Sequence, residues 1–305
     1  MKSSVAPQKK FKSKKKAALT DKIFSHIGLA LLAIIWIFPI LWIVLSSFRE
    51  EYRATGAYIG TVSNQFFPTH FGVKAYVDLF TGDFNGLENA FLRWVGNTMI
   101  VSVFCCLIST FLVLSVAYCM SKLRFKMRKT FLNITMIIGL FPGFMSMIAI
   151  YFLLKSMGLI KSIPGLIIAY SAGAGLGFQV SKGFFDVIPT SLVESAKLDG
   201  CTNFKIFWKI ILPLSKPIII YTALTSFTGP WMDFIFAQVI LGADNPELWT
   251  VSVGLYNMMF GPQANVNLFT RFAAGCVIVG IPIVSLFLFM QKYYVEGVTA
   301  GAVKG

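Results

Sequence analysis

Long apolar stretches alternate with short polar or basic segments along most of the chain. A transmembrane helix needs about 20 mostly apolar residues. Five stretches meet that length readily: 27–48, 95–120, 131–154, 218–241 and 269–291. A sixth, near 165–185, is weaker because glycines, Gln179 and Lys182 interrupt it, although glycine suits close contact between membrane helices. The pattern predicts an all-α membrane protein with six transmembrane helices.

The first apolar stretch follows a lysine-rich start, as the core of a signal peptide does. It is too long for such a core, and no small-residue cleavage site follows it. We therefore expect an uncleaved first transmembrane helix at 27–48. The predicted organisation is a cytoplasmic basic tail at 1–26, that helix, an extracytoplasmic segment at 49–94, a five-helix core at 95–291 with an outer loop at 243–268, and a cytoplasmic tail at 292–305.

Charge supports this arrangement. The chain is 56% hydrophobic and only 13% charged, with a net charge of +14. That balance excludes an ordinary soluble enzyme, a disordered protein and a disulfide-stapled domain. With the N-terminus inside, the predicted cytoplasmic segments hold 20 Lys and Arg residues and the outer ones hold 7. This bias follows the positive-inside rule and predicts that both termini are cytoplasmic. The lysine cluster at 9–16 is then explained by the orientation of the first helix and by contact with anionic lipid headgroups, so we predict no nucleic-acid partner.

Sequence motifs for metal binding, ATP binding and catalysis are missing. The histidines His26 and His70 lie far apart, and the five cysteines form no CxxC pair. The cysteines therefore fit buried apolar positions better than a zinc site. The sequence has no G-x-x-x-x-G-K-[ST], G-x-S-x-G or H-E-x-x-H motif. We predict no catalytic residue, metal site or cofactor in this chain, and any ATP that drives it must bind another chain.

The cytoplasmic segment at 189–217 carries strong local signals. Ser191 to Glu194 reads S-x-x-E, a capping box that predicts a helix start. Gly200 can take the left-handed conformation that ends a helix, and Thr202 or Asn203 can cap a second one. That second helix is predicted to be amphipathic and to break at two prolines; its apolar and proline positions are Phe204, Phe207, Ile210, Ile211, Pro213 and Pro217. The short first helix suits a groove on a partner.

This segment resembles the EAA signature of permease subunits of bacterial ABC importers. Ser195 and Cys201 stand where the family usually has alanine, and both are small. The resemblance implies a type I ABC importer permease fold in the bacterial cytoplasmic membrane, with this loop as the helix that docks in a partner ATPase. It implies coupling roles for Glu194, Ser195, Ala196, Asp199, Gly200, Phe207 and Pro213. For Glu194, we favour a combined role in helix capping and ATPase contact, with capping alone as the alternative.

Two further segments are similar to maltose-type permeases. The tail at 292–305 is similar to a C-terminus that reaches the ATPase interface, which implies contacts for Thr299, Ala300, Gly301, Val303, Lys304 and Gly305; an unneeded flexible tail is the alternative. The loop at 243–268 has no Lys or Arg and corresponds to one that reaches into the solute-binding protein. We expect an exposed contact element there, comprising Tyr256, Asn257, Phe260, Gly261, Gln263 and Asn265; a simple hairpin is the alternative.

One acidic residue, Asp233, lies within a predicted span. A carboxylate in a membrane is costly and usually faces protein or an aqueous cavity. Gly229-Pro230 is expected to interrupt the helix just before it. Trp231 and Asp233 therefore either line the sugar path or, as we favour, Asp233 bonds to a neighbouring helix.

Together these features predict the permease subunit of an ATP-driven, binding-protein-dependent oligosaccharide importer, with maltodextrin as the family default. The implied partners are a second permease, two ATPase subunits that bind ATP and Mg, an extracellular solute-binding protein, the oligosaccharide and the bilayer. An ion-gradient-driven transporter or channel is the alternative, although it would normally need several ionisable groups within the membrane. The hypothesis of a membrane enzyme is weakened because the sequence has no cluster of catalytic residues.

Overall fold

Helices dominate the described part of the chain, which comprises residues 9–262 and 264–299 of a computed structural model. Within those residues, β pairing is limited to isolated bridges in the segment at 49–94, such as that between Arg49 and Phe71. The helices are α1 (Lys9–Ser47), α2 (Lys74–Thr81), α3 (Ala90–Lys122), α4 (Arg128–Gly139), α5 (Gly143–Ser156), α6 (Ile163–Ala174), α7 (Phe178–Val187), α8 (Thr190–Leu198), α9 (Asn203–Ile206), a π-helical stretch (Phe207–Ile211), α10 (Leu212–Leu214), α11 (Lys216–Met232), α12 (Ile235–Leu241), α13 (Val251–Met259) and α14 (Phe269–Thr299).

Three helices in the described residues are long and apolar enough to cross a membrane alone: Lys22–Ser47 of α1, all of α3, and Val266–Gln291, most of which belongs to α14. Three bent pairs pass the same test jointly: α4 with α5 at 103°, α6 with α7 at 42°, and α9–α10 with α11 at 89°. Six spans is therefore the upper count for the described residues. The cytoplasmic position of both termini stays a prediction.

The predicted span at 131–154 is divided into two helices, because α4 and α5 meet at 103°. Pro142 occupies the N-cap of α5 with an extended backbone, ψ 129°. Proline lacks an amide hydrogen and disfavours helical backbone in the residue before it, so the chain turns there. This region is a broken span or a re-entrant hairpin rather than one continuous helix.

The predicted interruption of the span at 218–241 is displaced. The helix α11 continues through Pro230 to Met232, and the break comes at Asp233, whose backbone is extended with ψ 127°. Proline removes a single hydrogen bond from α11 and is tolerated so near the helix end. The chain resumes as α12 two residues later, so Asp233 lies at the junction of two helices.

Two hydrophobic clusters hold the helices together. The first surrounds Trp94 and Trp249, whose ring centroids are 5.9 Å apart and whose side chains are fully buried. The second packs α3 and α7 against the segment at 189–217, with Phe185 and Ile206 fully buried. In contrast, every residue of α1 from 22 to 41 is exposed. Lipid or another chain must cover that apolar surface, whereas the segment at 189–217 is fixed to the bundle by its own core.

Candidate coupling site

The segment at 189–217 folds as two helices joined by a glycine turn, as predicted, but its first helix begins differently. The N-cap of α8 is Pro189, with ψ 132°, and no side chain caps the helix. The predicted capping box is therefore wrong, because Ser191 already lies within the first turn. Glu194 is consequently not a capping residue, and its side chain is 64% exposed.

Gly200 ends α8 in the left-handed conformation, with φ +76°. The amide of Gly200 donates to the carbonyl of Lys197 at 3.0 Å, and the amide of Cys201 donates to the carbonyl of Ala196 at 2.9 Å. These two bonds form a Schellman motif, which satisfies the last carbonyls of the helix. The predicted role of Gly200 as the turn residue is confirmed. The predicted cap of the second helix is also confirmed, because the Thr202 hydroxyl accepts from the amide of Lys205 at 3.3 Å.

The second helix is amphipathic, but its buried face differs from the predicted one. Ile206, Phe207 and Ile211 are buried, whereas Phe204 is 71% exposed. The π-helical stretch at Phe207–Ile211 widens the turn and shifts which positions face the core. The break also differs: Pro213 lies within α10, and the chain turns at Ser215 before Pro217 enters the first turn of α11. Proline fits there because the first amides of a helix have no partner within it.

The chain is bound to one face of α3 at two points, just before α8 begins and just after the Gly200 turn. The ammonium of Lys122 donates to the carbonyl of Ile188 at 2.6 Å, just before Pro189. The hydroxyl of Tyr118 donates to the carbonyl of Asn203 at 3.1 Å, where α9 begins. Tyr118 and Lys122 are four residues apart and so share a helix face. We call these two bonds the α3 clamp.

The α3 clamp is not predicted from the sequence. Lys122 is only 8% exposed, although it ends a long apolar helix. The ring of Tyr118 also packs on Phe207, with centroids 5.0 Å apart. The sequence feature that could have indicated the clamp is the helical spacing of a polar and a basic residue next to a predicted cytoplasmic loop. Only the fold shows that their partners are backbone carbonyls 66 and 85 residues away.

A carboxylate completes the polar contacts around the clamp. Asp186 near the end of α7 accepts a hydrogen bond from the Ser121 hydroxyl at 2.6 Å and one from the Lys182 ammonium at 2.6 Å. Charge-assisted bonds of this length are among the stronger ones in proteins. The C-terminal ends of α3 and α7 are thus joined just before α8 begins.

The outer face of α8 has few contacts within the chain. Val193 and Ala196 are buried against the second hydrophobic cluster, and the rest of the helix is exposed. Leu198 is 90% exposed. Glu194 lies 3.9 Å from Arg124, but both side chains are well exposed, so this pair contributes little to stability. An exposed face with an apolar tip and acidic groups at 194 and 199 is available to a partner chain.

Asp233 is used within the chain. One of its carboxylate oxygens accepts from the Tyr170 hydroxyl at 2.5 Å, and the two oxygens accept from the amides of Phe236 and Ala237 at 3.2 Å each. It therefore caps α12 and binds it to α6, as the favoured interpretation predicts. Asp233 also lines a cleft of about 480 Å³ between α5, α6 and α12. Trp231 is buried, at 4% exposed.

The expectation of an exposed contact loop at 243–268 is wrong in its middle part. Val251–Met259 forms α13, and Asn257 is 1% exposed there. Its amide donates to Gln238 Oε1 at 2.7 Å and to the carbonyl of Val253 at 2.9 Å. The ring of Tyr256 stacks on Phe234 with centroids 4.5 Å apart. These contacts occupy the residues that were expected to face a partner.

The remainder of that loop is more accessible. Phe260 is 66% exposed, and Asn265 is exposed and caps a short turn by accepting from the amide of Asn267 at 2.9 Å. Gly261 is pressed against Asn257, since a Cβ there would lie 2.3 Å from its Oδ1. Gln263 lies outside the described residues, as do Ala300, Gly301, Val303, Lys304 and Gly305 of the predicted tail contact; Thr299 is the last residue of α14.

A comparison with protein-family models identifies the relatives of this fold. Residues 112–299, more than half of the chain, match the family described as "Binding-protein-dependent transport system inner membrane component". The chain belongs to this family. It is accordingly a permease of the sugar ABC transporter type, and we refer to it below as the permease.

Three relatives whose names specify sugar transport match the permease over nearly their whole length. It is 36% identical over 284 residues to the galactooligosaccharides transport system permease protein GanQ of Bacillus subtilis, covering 93% of the permease and 95% of that protein. It is 31% identical to the maltodextrin permease MdxG of the same organism, with 95% and 98% covered. It is 33% identical to the maltose/maltodextrin permease MalG of Vibrio vulnificus, with 92% and 95% covered.

Solved structures support the fold of the permease. A chain of a bacterial ABC transporter involved in the import of the acidic polysaccharide alginate superposes with a TM-score of 0.76 at 22% identity, covering 96% of the permease and 100% of that chain. The same kind of transporter in complex with an alginate pentasaccharide-bound periplasmic protein gives a TM-score of 0.63 at 17% identity, with 89% and 94% covered. The family match contains the α3 clamp, α8 and Asp233, so these lie in the part shared with the family.

Proposed function

We propose that the permease is one transmembrane subunit of an ATP-driven, binding-protein-dependent importer of an oligosaccharide in a bacterial cytoplasmic membrane. It works with a second permease, two ATPase subunits that bind ATP and Mg, and an extracellular solute-binding protein. Maltodextrin is the default substrate, and the galactooligosaccharide relative makes a galactose-containing oligosaccharide the main competitor.

This proposal rests on one observation: the α3 clamp holds the chain to α3 on both sides of the exposed helix α8. A partner ATPase that binds the outer face of α8 moves Ile188 and Asn203, and the clamp transfers that displacement to α3. The helix α3 spans the bundle and packs on α6, α7 and α11. ATP binding then biases a two-state equilibrium of the bundle through α8.

Within this proposal, Glu194, Ser195 and Asp199 form the docking face, while Gly200 shapes the turn and Phe207 fixes the second helix to α3. Pro213 lies at the surface where that helix meets α3. The tail beyond Thr299 reaches the ATPase interface, and the exposed part of the outer loop, at Phe260 and Asn265, contacts the solute-binding protein.

Uptake by the complete transporter tests the proposal. The permease is co-expressed with its partner subunits, reconstituted in liposomes with the binding protein, and supplied with labelled maltotetraose or a labelled galactotetraose. We expect uptake that requires ATP inside the liposomes and the binding protein outside. Uptake that continues without ATP when an ion gradient is imposed would contradict the proposal and favour a secondary transporter.

A further inference from the structure

A cleft between α3, α7 and α11 has several hydroxyl-bearing residues in its lining. Its volume is about 390 Å³, and half of its lining residues are Ser, Thr or Tyr. On its floor, the buried hydroxyls of Ser181 and Thr222 lie 3.2 Å apart. Thr225 is exposed at its edge, and Tyr170 forms part of its wall. This volume lies in the range of small-ligand sites.

The hydroxyls are concentrated in this cleft. Apart from the cleft of about 480 Å³ beside Asp233, whose hydroxyl residues are Ser146 and Tyr170, two larger clefts lie on the described helices: one of about 540 Å³ between α3, α10 and α11, and one of about 600 Å³ between α1 and α14. Both are lined almost wholly by apolar side chains, with Thr110 and Lys216 the polar groups of the first and Ser285 that of the second. Apolar walls suit lipid, whereas polar groups in a membrane protein face water, ligand or protein.

The threonine at the edge of the cleft does not by itself indicate a ligand. The Thr225 hydroxyl donates to the carbonyls of Tyr221 and Thr222 at 3.0 Å, an arrangement that threonine also adopts in lipid-facing helices. The stronger signal is the combination of hydroxyls from three helices around one space, together with two tyrosine rings. Hydroxyls supply donors and acceptors for sugar hydroxyls, and aromatic rings supply flat apolar surfaces.

The charge around the cleft limits which sugar it can hold. None of its lining residues is charged. Behind its wall, the carboxylate of Asp233 accepts from the Tyr170 hydroxyl at 2.5 Å. The ammonium of Lys182, which follows the lining residue Ser181, is already paired with Asp186 at 2.6 Å. An anionic sugar would lose its hydration in this cleft without meeting a cation, at a large cost in free energy.

We propose that this cleft is a sugar-contact site within the permease itself, and that it accepts an uncharged oligosaccharide and rejects a uronate. The inference rests on the proposed function and adds the site and the substrate charge to it. It sets the permease apart from its structural neighbour, whose transporter imports acidic alginate.

Cysteine protection in the complete transporter tests the site. In a background with the five native cysteines replaced by alanine, Thr225→Cys places a thiol at the edge of the cleft, and a positively charged methanethiosulfonate reagent measures its access to water. The matched control is Leu107→Cys, which is 64% exposed but lines the apolar cleft on α3. We expect Thr225→Cys to react and Leu107→Cys to remain unreacted, because the reagent attacks the ionised thiol in water.

Sugars then identify the ligand. At about ten times its Kd, an uncharged oligosaccharide leaves roughly one-tenth of the clefts free, so labelling of Thr225→Cys should slow about tenfold with maltotetraose or galactotetraose. Tetragalacturonate should leave the labelling rate unchanged. The sugars are present while the reconstituted transporter turns over with ATP and binding protein.

Three outcomes would overturn the inference: an unreactive Thr225→Cys, which means that lipid or a partner helix fills the cleft; labelling that a transported sugar does not slow; and protection by the uronate.

The functional assay separates the two proposals. If the cysteine-free parent transports maltotetraose or galactotetraose with ATP but Thr225→Cys shows no protection, the site is wrong and the importer function stands. If that parent and the native permease transport neither sugar, the proposed function falls, and the inference falls with it.

Discussion

The Lys122 ammonium and the Ile188 carbonyl are joined by a 2.6 Å hydrogen bond that fixes the point where the chain enters α8. One helical turn earlier on α3, Tyr118 binds the carbonyl of Asn203, where the chain leaves the turn. A single helix therefore holds both ends of the element that we propose as the ATPase contact. This arrangement makes coupling sensitive to residues that never touch the ATPase.

Lys122→Met removes the charged half of the α3 clamp while keeping an unbranched apolar stem. A hydrogen bond to a charged group contributes about 2 kcal/mol, and the Ile188 carbonyl is left without this donor. We expect a modest loss of thermal stability and a larger fall in sugar uptake per ATP hydrolysed, because α8 can then move without pulling α3. The measurement is the ratio of uptake to ATPase rate in liposomes.

Two variants serve as controls for this prediction. Lys122→Arg keeps a donor and should restore part of the coupling ratio. Lys197→Met removes an exposed lysine from α8 itself and should leave the ratio near that of the wild type. If Lys122→Met lowers uptake and ATPase activity in the same proportion, the clamp is only structural.

Gly200→Ala tests the turn. At φ +76° the added Cβ meets no atom within 4 Å, so the penalty is purely conformational, about 1–2 kcal/mol. Gly183→Ala is the matched control, because its surroundings are equally open and its backbone is that of helix α7. We expect Gly200→Ala to reduce the amount of ATPase that co-purifies with the permease. Equal recovery from both variants would refute a coupling role for the turn.

Glu194→Ala separates ATPase contact from stability. The exposed side chain caps no helix, and its 3.9 Å approach to Arg124 contributes little. The thermal stability of the permease should therefore change by less than about 0.5 kcal/mol, as at most surface sites. Sugar-stimulated ATPase activity should fall, whereas the neighbouring Lys197→Ala should preserve it. Unchanged stimulation in Glu194→Ala would remove this residue from the proposed docking face.

The sequence identified the coupling element more accurately than it identified its supports. Gly200 acts through its own backbone and Thr202 through a hydrogen bond to an amide three residues away, so a local pattern predicts both. The capping-box prediction is wrong because α8 begins directly after Pro189, which lies two residues before Ser191. The motif alone does not determine the residue at which a helix begins. The α3 clamp was missed because its bonds join residues far apart in the sequence.

The same limit applies to the segment at 243–268. A run of polar and aromatic residues predicted an exposed loop, yet Asn257 is buried and bonded to Gln238. An amide that donates twice inside a core satisfies its hydrogen bonds as well as one in water, so polarity alone does not predict exposure. Asp233 shows the converse, because the cost of a carboxylate in a membrane correctly predicted that it binds a neighbouring helix.

Glu51 is expected to make the segment at 49–94 sensitive to acid. Burial raises the pKa of this carboxyl, but hydrogen bonds from Thr69 and the charge of Arg49 outweigh that effect and hold the pKa below its ordinary 4.5. A carboxyl with a lowered pKa in the folded state stabilises the fold above its unfolded pKa, and this contribution is lost as the pH falls through the folded value. Arg49 is 2% exposed and donates to Glu51 at 2.6 Å.

We therefore expect Glu51→Gln to lower the melting temperature of the detergent-purified permease at pH 7. The difference from the wild type should shrink below about pH 4.5, where the native carboxyl is increasingly protonated. Glu88→Gln, at an exposed position of the same segment, is the control and should behave as the wild type throughout. A difference that is constant with pH would show that Glu51 acts by packing rather than by charge.

Asp233 distinguishes the two transport mechanisms. In the structure its carboxylate oxygens cap α12 and accept from Tyr170, which an amide oxygen can partly reproduce. Asp233→Ala should lose about 1 kcal/mol or more of stability with the cap, and its uptake should fall with that loss. Asp233→Asn should keep most of the stability and most of the ATP-driven uptake, since no proton has to bind and leave. A secondary transporter that uses this carboxylate to carry protons would instead lose uptake in Asp233→Asn while remaining folded. Uptake by each variant is divided by the amount of permease inserted and compared with the melting temperature of that variant. This comparison decides whether Asp233 acts as a helix cap or as a proton carrier.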